Sequence, residues 1–128
     1  MEHIYFFDGD QKKISWTIEN SQTRSDEHRI HAEYFYDIVT PEQSKYIALH
    51  VGIFWSIGRF IIKNGDTVKV MVDQKSMFDR LANNQPTDDV FIEKRMRFID
   101  QIIKQRDLDV RYQLVDPNEN KASKLLLS

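Results

Sequence analysis

The sequence predicts an α/β protein built on a mixed five-stranded sheet, its elements in the order βββαβααβα. Three observations predict it. The first third of the chain alternates polar and apolar residues with period two, as half-buried antiparallel strands do. The middle carries apolar residues at three- and four-residue steps, the spacing of a helix packed on one face. Two apolar runs, Ile4-Tyr5-Phe6-Phe7 and Val68-Lys69-Val70-Met71-Val72, each end on an aspartate, Asp8 and Asp73.

Taken in order, His3 to Phe7 reads as a first strand, and Asp8-Gly9-Asp10 is turn chemistry. Lys13 to Glu19 alternates as a second strand. Asn20 to Asp26 is polar and reads as a loop, and Arg29 to Val39 alternates again as a third strand. Thr40-Pro41-Glu42 supplies a cap, a first-turn proline and a first-turn acid, so a helix starts there. It carries Tyr46, Leu49, Ile53, Ile57, Phe60 and Ile61 and is expected to stop at Asn64-Gly65. Thr67 to Val72 is a buried fourth strand. A short helix follows over Ser76 to Ala82, then an amphipathic helix over Val90 to Gln105. Leu108 to Val115 is the fifth strand, and Asp116-Pro117 caps a last helix reaching about Leu127.

A chain of 128 residues with no repeat, low-complexity stretch or Pro/Gly/Ser-rich linker is expected to be one domain, 1–128. Its 18 basic and 20 acidic residues give a net charge of −2, which argues against coating nucleic acid by bulk electrostatics. The chain has no cysteine, which removes disulfides, thiolate metal sites and cysteine catalysis. No basic-then-apolar leader and no apolar run of about 18 residues is present, so a cytoplasmic protein with no membrane contact is expected.

Asp8 and Asp73 are the residues with the most to say about function. Each alone reads as a turn or cap residue. If their strands are neighbours, the two carboxylates meet at one sheet edge, where they repel unless a hard divalent cation joins them.

This order, with Asp8-Gly9 ending the first strand and Asp73 ending the fourth, resembles the compact type 1 ribonuclease H family across nearly the whole chain. The resemblance implies four acids holding two Mg²⁺ or Mn²⁺ ions against an RNA–DNA hybrid. Asp8 matches the first acid and Asp73 the third. The second comes in the family from a run Ala-Glu-Leu-x-Ala-Leu. Here that run is Ser44-Lys45-Tyr46-Ile47-Ala48-Leu49, so Lys45 replaces the glutamate. The last helix of the family reads Asn-x-x-Ala-Asp-x-Leu-Ala. Here Asn120-Lys121-Ala122-Ser123 is one residue shorter and puts Ser123 at the aspartate. The asparagine pair ahead of the helical glutamate falls on Pro41 and Glu42, and the serine after the third acid is Gln74. Such positions meet the hybrid backbone, so their loss also weighs against hybrid cleavage.

Two-metal hydrolysis needs several carboxylates, because one ion activates the water, the other stabilises the leaving oxygen, and the ions repel. Lys45 places a positive charge where neutralisation is needed. Turned inward, it takes the place of a metal beside Asp8 and Asp73. Turned outward, it leaves the site one ligand short. Glu42 lies three residues before Lys45 and Glu119 four before Ser123, so both are candidate displaced ligands, with first-turn acids as the plainer explanation. Lys94, Arg95 and Arg97 form a candidate phosphate-tracking strip, or a solvated face. His3, His28, His31 and His50 lack metal-ligand spacing. Trp16, Tyr34, Tyr36 and Trp55 fall in periodic segments and read as packing.

Two functions follow. One is a domain of this fold that has lost its metal site and binds nucleic acid, as hybrid or duplex, or a protein partner. The other is a divalent-metal nuclease cutting the RNA strand of a hybrid. Phe54, Trp55 and Phe60 lie on more than one face of the first helix and leave room for a homodimer.

Overall fold

The computed structural model describes residues 1–35 and 38–127. A sheet of five strands, ordered β3-β2-β1-β4-β5, is formed by β1 (Glu2–Gly9), β2 (Lys13–Glu19), β3 (Arg24–Ile30), β4 (Thr67–Val72) and β5 (Asp109–Leu114). The first three are antiparallel, and β4 and β5 join β1 in parallel, as the sequence leads one to expect. Helices α1 (Pro41–Gly58), α2 (Lys75–Asn83) and α3 (Val90–Gln105) complete it. Among the described residues no helix is long and apolar enough to cross a membrane.

Period-two alternation sends Tyr5, Phe7, Ile14, Trp16 and Ile18 into the core with Val68, Val70 and Val72. α1 answers with Tyr46, Ile47, Leu49 and Ile53, and α3 with Ile92, Ile99 and Ile102. Gly52 sets how closely α1 approaches. A Cβ there would strike the Tyr5 hydroxyl and come within 2.7 Å of Trp16 Cγ. On the other side of the sheet, Phe6 and Met71 pack on Ala122.

Three expected elements differ. The third strand is Arg24–Ile30, not Arg29–Val39. Asn20 Oδ1 accepts from the amides of Gln22 and Thr23 and closes a tight hairpin, so Glu19 pairs directly with Arg24. This strand lies at the sheet edge and is mostly polar, which made it look like loop. Of the expected strand, Glu33–Phe35 is a 3₁₀ turn, Ile38 and Val39 lie outside the sheet, and Tyr36 and Asp37 lie outside the described residues. The first helix stops at Gly58 instead of Asn64. Phe60 adopts a φ of 61°, and Ser56 O accepts from Ile61 and Ile62, turning Ile62 into the core.

The last helix is two 3₁₀ segments, Pro117–Glu119 and Ser123–Leu127. Asn120 breaks them, extended at φ −77° and ψ 105°. Its side chain donates to Phe7 O at 2.8 Å, which ties this bend to the end of β1. Glu119 and Ser123 therefore do not share the face of one α-helix.

Candidate functional site

The parallel pairing of β1 and β4 brings their C-terminal ends together, and with them Asp8 and Asp73. Gly9 lets the chain pass against the first turn of α1. A Cβ there would collide with Ser44, whose backbone carbon lies only 2.7 Å from that position. This approach puts the next residue of α1, Lys45, over both carboxylates.

Lys45 Nζ lies 2.8 Å from Asp73 Oδ1 and 3.0 Å from Asp8 Oδ1. Ser123 Oγ donates to Asp8 Oδ2 at 2.6 Å, and the Gly9 amide to Asp8 Oδ1 at 2.8 Å. Asn120 Nδ2 donates to Asp73 Oδ2 at 2.9 Å. All four carboxylate oxygens thus have donors from the protein itself. Burial opposes the charge on Lys45. The hydrogen bond to Asp73 and the charge of Asp8 outweigh it, and the Lys45 pKa rises above its ordinary 10.5. The residue is an ammonium at neutral pH.

The arrangement does not fit a divalent cation. Mg²⁺ keeps several waters and needs only one or two protein carboxylates, but those must turn their oxygens to the ion rather than to another cation. Here two carboxylates face a fixed positive charge. Among the described residues no group of three or more His, Asp or Glu is placed to hold a metal.

The two acids considered as displaced ligands are engaged elsewhere. Glu42 pairs with Arg80 of α2. Glu119 accepts from the Asp116 amide at 3.3 Å, closing a capping box. The three cations of α3 do not share one face. Lys94 is exposed, and Arg97 pairs with Glu93 along the helix. Arg95 turns inward, donating to His50 Nδ1 at 3.0 Å with its guanidinium over the Phe91 ring.

Sequence reasoning did not find Asn120 as a site residue. Its signal was present, as the asparagine opening the last motif, but spacing alone does not reveal that its carboxamide reaches both Phe7 and Asp73. His31 was also missed as a neighbour of this end of the sheet. It is buried, with Nε2 2.8 Å from Ser44 Oγ, and that burial lowers its pKa.

The fold is that of a ribonuclease H-like domain. No family model matches the sequence, and no curated protein matches it either. Solved structures do match. Ribonuclease H1 from the archaeon Halobacterium salinarum is similar at a TM-score of 0.75 and 13% identity, covering 98% of this chain and 94% of its own. The N-terminal RNase H domain of a Mycobacterium tuberculosis protein, solved fused to maltose binding protein, gives 0.73 and 12%, covering 97% and 89%. LC11-RNase H1 in complex with an RNA/DNA hybrid gives 0.70 and 11%, covering 97% and 91%. At these identities the likeness is one of fold.

Proposed function

We propose that residues 1–128 form a single ribonuclease H-like domain, cytoplasmic, that acts by binding nucleic acid rather than by cutting it. The Lys45 ammonium bridging Asp8 and Asp73 carries this reading. It supplies the positive charge that metal ions supply in two-metal hydrolysis, but it cannot bind and acidify a water. Ser123 and Asn120 hold the remaining oxygens as neutral donors and bring no further negative charge. Each ~1.4 kcal/mol of lost transition-state stabilisation costs a factor of ten in rate, so two missing acids leave little turnover.

RNA–DNA hybrid or duplex is the ligand favoured by the fold, one of whose similar structures holds a hybrid. Lys94 and Arg97 lie on the exposed side of α3, Lys94 turned to solvent where phosphates could meet it and Arg97 already shared with Glu93. With a net charge of −2, affinity should be weak and should fall steeply with salt. The test incubates a labelled RNA–DNA hybrid with the protein and Mn²⁺ beside an Asp8→Asn control. Binding without cleavage is expected. Robust cleavage abolished in the control would overturn the reading.

A further inference from the structure

β3 is an edge strand, and the register of its hairpin with β2 sets which of its backbone groups stay unpaired. The Asn20 amide donates to Thr23 O at 2.9 Å, and the His31 amide to Lys12 O at 2.8 Å. Antiparallel pairs alternate between bonded and non-bonded, so Ser25, Glu27 and Arg29 are the residues bonded to β2. The N–H and C=O groups of Arg24, Asp26, His28 and Ile30 therefore point outward, and no described strand meets them.

Side chains alternate as well. Glu27 and Arg29 stand opposite Trp16 and Ile14, on the core face of the sheet. α1 packs chiefly on β1 and β2, which leaves Glu27 half-buried and Arg29 exposed. The Arg29 guanidinium rests 5.3 Å from the Trp16 ring. Among the described residues neither Glu27 nor Arg29 has an ion-pair partner. On the other face of the strand, Arg24 and Asp26 pair with each other at 3.0 Å.

Charged edges normally resist pairing. Here the charges select one way to pair. A second copy added antiparallel about a two-fold axis must match outward residues with outward residues. The axis can pass through residue 26, 27 or 28 and still pair most of each strand. At 26 it sets Asp26 against itself, and at 27 it sets Glu27 against itself. Like charges directly opposite are destabilising. At His28 it sets Glu27 of each copy opposite Arg29 of the other, in a non-hydrogen-bonded pair, where side chains come closest. The outward backbone groups are then matched as Asp26 with Ile30, His28 with His28, and Ile30 with Asp26.

We propose that β3 pairs with β3 of a second copy, antiparallel about a two-fold axis through His28, joining the two five-stranded sheets into one. The pairing uses neither Asp8 nor Asp73 and does not depend on how that centre is used.

Sedimentation equilibrium of the full chain tests it. The contact is one strand long, so a dimer with a dissociation constant of about 1–100 μM is expected. Glu27→Arg and Arg29→Glu, each checked for folding by circular dichroism, place like charges at both contacts. Each should weaken the dimer at least about tenfold. Combining the two substitutions restores opposite charges and should recover the dimer. His28→Pro removes an outward amide that β2 does not use, and should abolish the dimer while the fold persists. A parent that stays monomeric over this range, single reversals that leave the dimer unchanged, or a combined variant no better than either reversal would overturn the proposal.

Discussion

Lys45 and Asp73 are joined at 2.8 Å across the gap between α1 and the end of β4, with the lysine side chain 16% and the aspartate 8% exposed. The same ammonium reaches Asp8 at 3.0 Å. A pair this enclosed is costly to break from one side, because the remaining charges lose their partner but stay out of water. Since the Lys45 pKa is raised, its contribution to stability is complete below its ordinary 10.5 and is lost only as pH climbs through the higher folded value. Lys45 therefore keeps its charge at every physiological pH.

Lys45→Glu should convert the centre. Three carboxylates would then share one edge with no internal cation, and their repulsion is relieved by a divalent ion. Mg²⁺ affinity measured by calorimetry should rise at least tenfold over the unmodified protein. The variant without metal should also be less stable than the parent and recover on adding Mg²⁺. Unchanged affinity would mean that Lys45 does not hold the metal position.

Much of the sheet was legible in the sequence, because β2 alternates cleanly and β4 is a short apolar run between turn signals. The pairing of β1 with β4, and with it the meeting of Asp8 and Asp73, was expected from the family resemblance rather than from any local pattern, and the sheet has it. The third strand was not legible: Arg24-Ser25-Asp26-Glu27 has the composition of a loop and becomes a strand only through the Asn20 turn and its pairing with β2. The last helix failed for a different reason. Its local pattern is helical, but Asn120 gains more from Phe7 and Asp73 than from continuing a helix. At the site, the sequence located Lys45 and Ser123 without showing which way Lys45 turns. That depends on the close approach that Gly9 allows.

Asn120→Ala should cost about 1–3 kcal/mol, since it strips the buried Phe7 carbonyl and one Asp73 oxygen of a donor. Asn120→Asp should cost more at pH 7, because it turns a carboxylate toward a carbonyl and another acid. Its excess penalty should shrink as pH falls and the new acid takes a proton. Urea midpoints of the two variants at pH 7 and pH 4.5 check this, and equal costs at both values would refute it.

Gly52→Ala should be among the most disruptive small substitutions in the chain. The added methyl has nowhere to go between Tyr5, whose hydroxyl donates to Ala48 O at 2.7 Å, and the fully buried Trp16. Overpacking a dense core costs about 1–3 kcal/mol and sometimes more, and here both neighbours are held in place. Thermal unfolding should shift down by several degrees. Gly58→Ala, where nothing lies within 4 Å of the new methyl, should leave it unchanged or raise it slightly.

Mild acid should weaken the fold through His50. Burial, then the Arg95 charge, lower its pKa from an ordinary 6.5 to about 4. Between those values the unfolded chain binds a proton that the folded chain refuses. Stability therefore falls as pH drops from about 6.5 and levels off for this group below about 4. His31, lowered chiefly by burial, adds a contribution of the same sign. Asp66 acts further down. Burial opposes its charge, but hydrogen bonds from His3, the Lys63 amide and the N-terminus hold its pKa at about 2. Its contribution is present above its ordinary 3.8 and is lost as pH approaches 2. Urea midpoints at pH 7, 5.5 and 4 should fall in sequence for the parent. In His50→Gln, whose side chain does not titrate, the decline over the same range should be visibly shallower, with His31 accounting for the rest. Parallel curves for parent and variant would mean that the folded protein does not hold His50 neutral.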